Sequence, residues 1–167
     1  MTQQVGADPG EQLGACPDPE DLALLAQWDV MQSGMRRLSD QLLSDVEAEA
    51  GLAPSSFQVL WFLLTAAGNS APMNQLTATL GFTTAGTTKV ADRLAAAGLL
   101  ERRQLPADRR ITLATLTDAG RKAAVTAALT LAGALRERVV RSLGAEGFAD
   151  LSSTLRSLDP APDQHCG

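Results

Sequence analysis

Between Ser55 and Gly98 three helical segments follow one another with hardly any chain between them, and this spacing most restricts the fold. Residues 55–67, SSFQVLWFLLTAA, are apolar on nearly every side, a pattern that fits a short helix buried in the middle of a domain. Gly68-Asn69 ends it. A shorter helix follows at about 73–80 and is closed by Gly81. Thr83 then sits at the cap position of another helix running to about Ala97, which Gly98 closes. Two helices joined by a turn of three or four residues containing Gly have the spacing of a helix-turn-helix.

After Gly98 the period changes. Leu99-Leu100-Glu101-Arg102-Arg103 reads as a short strand, and Ile111, Leu113 and Thr115 alternate as a second. Gln104 to Arg110, with Pro106 and Asp108, forms the loop at the tip of this hairpin. Thr117 caps a long helix through about Leu143, with Val125, Leu129, Leu135 and Val139 among its apolar positions. A last helix at about 145–158 carries Phe148, Leu151, Leu155 and Leu158. At the other end, residues 1–17 are rich in Gly, Pro, Gln and Asp and read as a disordered arm. Asp18-Pro19-Glu20-Asp21 is a helix start, with a capping side chain, a proline at the first helical position and acids on the dipole. Leu25, Trp28, Met31, Met35, Leu38, Leu42 and Val46 then form one apolar stripe, which stops at Gly51.

The expected fold is mainly α: a winged helix-turn-helix with long N- and C-terminal dimerisation helices. Its parts are an arm at 1–17, a dimerisation helix at 18–50, the winged helix-turn-helix at 51–117, dimerisation helices at 118–158 and a tail at 159–167. The stripes on the terminal helices exceed what a domain of this size covers alone, which points to self-association.

The 167 residues carry a formal net charge of −5, which by itself argues against nucleic acid. Its distribution argues the opposite. Residues 1–80 hold two basic side chains against ten acidic, while residues 81–122 hold eight basic against four acidic. The middle segment is thus the candidate contact surface for an anion, against the plainer reading of a solvated face with a chance cluster. The longest uninterrupted apolar run, Val59 to Leu64, is six residues, so no membrane span is expected. The first residues have neither the basic start nor the apolar stretch of a signal peptide, and two cysteines make no disulfide framework; the expected location is the cytoplasm. No catalytic residue, metal site or cofactor is expected: His165, Cys16 and Cys166 all fall in the expected end segments, and there is no Gly-rich phosphate loop.

The stretch Gly81 to Arg121 closely resembles the MarR family of bacterial transcription regulators. The matching residues are Gly81-Phe82-Thr83-Thr84, Lys89-Val90-Ala91-Asp92-Arg93-Leu94, Gly98-Leu99-Leu100-Glu101-Arg102, Asp108-Arg109-Arg110 and Leu116-Thr117-Asp118-Ala119-Gly120-Arg121. With the flanking helices the resemblance covers about residues 19–158. It implies a homodimer that binds near-palindromic double-stranded operators, commonly as a repressor released by a small ligand or by oxidation.

The residues agree with this. A recognition helix offers its N-terminal half to base edges in the major groove. Here that half has Thr84, Ala85, Gly86 and Thr88, short enough for close approach, and then Lys89, suited to a guanine edge or a phosphate. Thr83 is read as a cap and Thr87 as packing inward. Arg109 and Arg110 sit at the wing, where a guanidinium can enter the minor groove. In the family the arginine of the Asp-x-Arg motif, here Arg110, is typically critical. Arg93 suits a backbone or structural contact, and of the alternating Arg102 and Arg103 only one faces DNA. The expected DNA contacts are Thr84, Thr88, Lys89, Arg93, Arg103, Arg109 and Arg110. Asp92 and Asp108 are expected to organise the wing, Asp92 by pairing with a wing arginine or merely by a local surface pair. The Ala85-Gly86 pair is poorer in polar groups than the Ser/Thr pair common in the family, which shifts weight to the wing and to shape.

Two switches are open. Family effectors bind between the dimerisation helices and the winged lobe; Trp28, Gln32 and Arg36 are the candidates for a small aromatic or carboxylated effector, with Met35 on the same helix and Trp61 on the buried one. The plainer reading gives Trp28 and Met35 to packing, Trp61 to the core and Arg36 to solvent. The rival is a redox switch at Cys16 or Cys166, although no basic residue stands near Cys16 in the sequence to activate a thiol. A winged-helix interaction module without DNA binding is the further alternative.

Overall fold

The computed structural model describes residues 16–105 and 108–158. The expected arm, except for Cys16 and Pro17, lies outside the described residues, as do Pro106 and the tail with His165 and Cys166. The order is α1 (Pro19–Ala50), α2 (Pro54–Thr65), a 3-10 turn (Ala67–Asn69), β1 (Ser70–Pro72), α3 (Met73–Leu80), α4 (Thr84–Ala96), β2 (Leu100–Leu105), β3 (Asp108–Leu116), α5 (Asp118–Leu135), a π-helical segment (Arg136–Val140) and α6 (Arg141–Leu158). No helix among the described residues is long and apolar enough to cross a membrane.

The chain divides after Leu38 into two units. The first holds the opening turns of α1. Asp18 caps them as expected, its Oδ1 accepting from the Asp21 N–H at 2.9 Å. In this stretch no side chain is buried, and Leu22, Leu25, Trp28 and Met31 are each about half exposed.

The second unit contains the core. Leu42 and Val46 from the end of α1 are buried, and Gly51, at φ 67°, ends that helix in the left-handed region. α2 supplies Phe57, Val59, Leu60 and Leu63, all 3% exposed or less. Leu52, Ala71 of β1, Leu76 of α3, Val90 and Leu94 of α4, Leu100 of β2, Ala114 of β3, and Ala124 and Ala127 of α5 join them in the cluster. α2 is apolar all round because the rest of the unit surrounds it, with one exception. Trp61, read as core, is 42% exposed. Near the chain's end, Arg138 of the π-helical segment grips Asp45 of α1 with two nitrogens, Nε at 3.0 Å and Nη2 at 2.7 Å from Oδ2.

The sheet has three antiparallel strands in the order β1-β3-β2. The hairpin β2-β3 was expected; β1 was not. Three residues are too few to show alternation, and what fixes them is tertiary: Ser70 Oγ lies 2.8 Å from Thr115 Oγ1 and 3.2 Å from the Ala114 carbonyl. α2 stops two residues short of the expected end, because Ala66 is already extended (φ −78°, ψ 150°) and feeds the turn through Gly68 and Asn69. The long helix expected from Thr117 to Leu143 is α-helical only to Leu135 and continues through the π-helical segment. Its break does fall at Gly144, with φ 75° and ψ 164°.

Candidate nucleic-acid interface

α4 owes its position to alternating commitments along its length. Thr83 Oγ1 accepts from the Gly86 N–H at 3.0 Å, the cap expected from sequence, while a Cβ on Gly86 would stand 3.1 Å from that same oxygen. Thr87, Val90, Ala91 and Leu94 turn inward. Thr87 is 1% exposed, yet its hydroxyl is satisfied, donating to the Thr83 carbonyl at 3.2 Å and accepting from Thr77 Oγ1 at 2.9 Å. The opposite face, with Thr84, Ala85, Thr88, Lys89, Asp92 and Arg93, is exposed. Thr88 Oγ1 donates to the Thr84 carbonyl at 3.0 Å, which leaves its oxygen lone pairs turned to solvent as acceptors.

The hairpin carries the arginines. Gln104 pairs with Thr112, but Leu105 pairs with Asp108, so the register shifts between these neighbours. Such a bulge bends the strand and re-aims its side chains, here Arg109 and Arg110, both exposed. Asp108 Oδ1 accepts from the Arg110 N–H at 2.9 Å and fixes the backbone at the bulge. A cavity of about 400 Å³ lies between α3, α4 and β3, and Asn74, Thr77, Thr84, Thr88, Arg110 and Thr112 are among the residues that line it. The structure thus brings Thr84, Thr88 and Arg110 around one concavity.

The other expected contacts are placed differently. Arg93 turns to α2, its Nη2 donating to Ser55 Oγ at 3.0 Å and Ser56 Oγ at 2.9 Å. Arg103 pairs with Glu101 on its own strand, while Arg102 reaches Asp92 at 2.7 Å. Lys89 and Arg109 are exposed. Trp28, Gln32 and Arg36 are exposed side chains of α1, and none of them lines the cavity described above. Cys16 is an exposed free thiol, and no cluster of metal-ligating side chains occurs among the described residues.

Gly120 stands in the motif Leu116 to Arg121, and its physical role lies in a contact that the motif does not show. A Cβ there would lie 1.8 Å from the Leu99 carbonyl oxygen. Thr117, whose Oγ1 donates to the Gly98 carbonyl at 2.7 Å and accepts from the Gly120 N–H at 2.9 Å, pins the start of α5 against the end of α4. The two glycines flanking this contact were the available signal.

A family model described as MarR family matches residues 50–111, which span α2 to the wing. Over this segment the chain is similar to the MarR family. The wider chain shares the MarR fold. It superposes on Sco3205 from Streptomyces coelicolor, a MarR family transcriptional regulator solved in complex with DNA, with a TM-score of 0.74 at 21% identity, covering 92% of this chain and 96% of that one. AbsC, from the same organism, gives 0.72 at 21% identity over 86% and 95%. Sco5413, also from that organism, gives 0.65 at 25% identity over 82% and 92%. All three are MarR family transcriptional regulators, the class expected above in place of an enzyme. A comparison with curated proteins finds no match.

Proposed function

We propose that this MarR-like chain is a homodimeric, cytoplasmic, DNA-binding transcriptional regulator, a repressor that a small aromatic or carboxylated effector releases from a near-palindromic operator. One observation carries the DNA reading. The exposed polar face of α4 and the arginine-bearing bulge of the hairpin border one concavity, inside a segment with eight basic side chains in an otherwise acidic chain. The structure of Sco3205 in complex with DNA supports it by analogy of fold.

In this reading Thr84, Thr88 and Lys89 enter the major groove, and Arg109 and Arg110 extend the contact from the wing. Asp108 organises the wing through the Arg110 backbone. The terminal helices, 18–50 and 118–158, supply the dimer interface, because their exposed leucines, valines and methionines need cover. Trp28, Gln32 and Arg36 are the candidate effector residues.

Selection from a random duplex pool tests the central part: enrichment of a near-palindrome supports it, and no enrichment refutes it. On the enriched duplex, Arg110→Ala should weaken binding about ten-fold and lower the salt slope by about one. Unchanged affinity at matched salt would remove the wing from the interface. Effector binding is read by quenching of tryptophan emission together with release of the duplex, and Trp28→Phe should abolish the first.

A further inference from the structure

The two neighbouring charged residues on α4, Asp92 and Arg93, reach in different directions. Asp92 Oδ1 lies 2.7 Å from Arg102 Nη2 on β2. Arg93 Nη2 lies 3.0 Å from Ser55 Oγ and 2.9 Å from Ser56 Oγ at the start of α2. Successive residues on a helix point about 100° apart, so the two tethers pull on different sides of α4. α4 already packs through Thr87, Val90, Ala91 and Leu94, and two tethers at this angle resist the small roll that such packing still allows.

Their location along α4 matters equally. Asp92 and Arg93 each stand one turn beyond Thr88 and Lys89, the residues assigned to the groove, and on the same exposed face. A bare carboxylate there would repel a phosphate backbone. Arg102, with 35% of its side chain exposed, balances that charge at 2.7 Å. Ser56 is 3% exposed, and Arg93 is the donor that satisfies its oxygen.

We infer that Ser55, Ser56, Asp92, Arg93 and Arg102 are positioning residues that set the roll of α4 in the groove, with both arginines held by protein rather than by DNA. This rests on the DNA-binding reading and reassigns Arg93, expected from sequence as a contact. It also separates the strand arginines: Arg102 is committed to α4, and Arg103 is not.

The test uses the full chain and the duplex that it enriches. Two cycles are measured over a salt series, Arg102→Gln with Asp92→Asn, and Arg93→Gln with the paired change Ser55→Ala and Ser56→Ala. Positioning predicts coupling: each combined variant is no weaker than its arginine variant alone, which should lose about ten-fold, and the salt slope stays at the wild-type value. Repeated selections with the arginine variants should show relaxed base preference, which a mere loss of stability would not produce. An arginine that lowers the slope by about one, and whose partners can be removed without effect, holds phosphate itself and overturns the inference. If Arg93→Gln does not fold, the serine pair carries that arm alone, since it keeps the charge and removes the tether. If wild type enriches no duplex, the failure belongs to the DNA-binding reading instead.

Discussion

The opening turns of α1 read as one apolar stripe and α2 as apolar on nearly every side, and their surroundings could hardly differ more. In α2, Val59, Leu60 and Leu63 are fully buried and Phe57 nearly so. In α1 before Leu38, Leu25 is 51% exposed and Trp28 56%. α6 resembles this first stretch of α1, with no buried residue and Leu158 at 72% exposure. Apolar periodicity records that a face is made for cover; it does not record whose atoms provide it. Where the chain supplies them, the result is a core, and where it does not, a second copy is the cover proposed here.

The contrast can be broken from the core side first. Leu60→Ala should destabilise by about 2–5 kcal/mol, seen in denaturant midpoints that do not depend on protein concentration. Gly120→Ala should cost about 3 kcal/mol or more, since its Cβ meets the rigid Leu99 backbone at 1.8 Å. A tolerated alanine would mean that α5 does not start where described. On the other side, Leu25→Glu should leave the core unfolding transition in place and shift sedimentation from dimer to monomer. A dimer unaffected by Leu25→Glu and by Leu129→Glu would show that these stripes are not its interface. The smallest effect belongs to a local feature: Thr83→Ala should cost about 1 kcal/mol through the lost cap on α4, read from thermal melts.

Much of the fold was legible because helix ends are written in local chemistry. Asp18, Thr83 and Thr117 cap, and Gly51, Gly81, Gly98 and Gly144 take positive φ at the predicted ends. β1 was not legible, because Ser70 is held by Thr115, 45 residues away. The π-helical segment has no Pro or Gly to announce it. Within the site, residue types were readable while partners were not. Arg93 and Arg102 look like any surface arginines until Ser55, Ser56 and Asp92 are brought beside them. The charge total misled for the same reason: −5 averages an acidic first half with a basic reading segment, and only the division is physical.

The most direct measurement is the stoichiometry and salt dependence of the complex between the full chain and a duplex enriched from a random pool, by sedimentation velocity. The account predicts two chains on one near-palindromic duplex, with half-sites about one turn apart, roughly 34 Å, and an affinity that falls steeply with salt. A pool that yields no enriched duplex, or a single chain bound with no salt dependence, would contradict it.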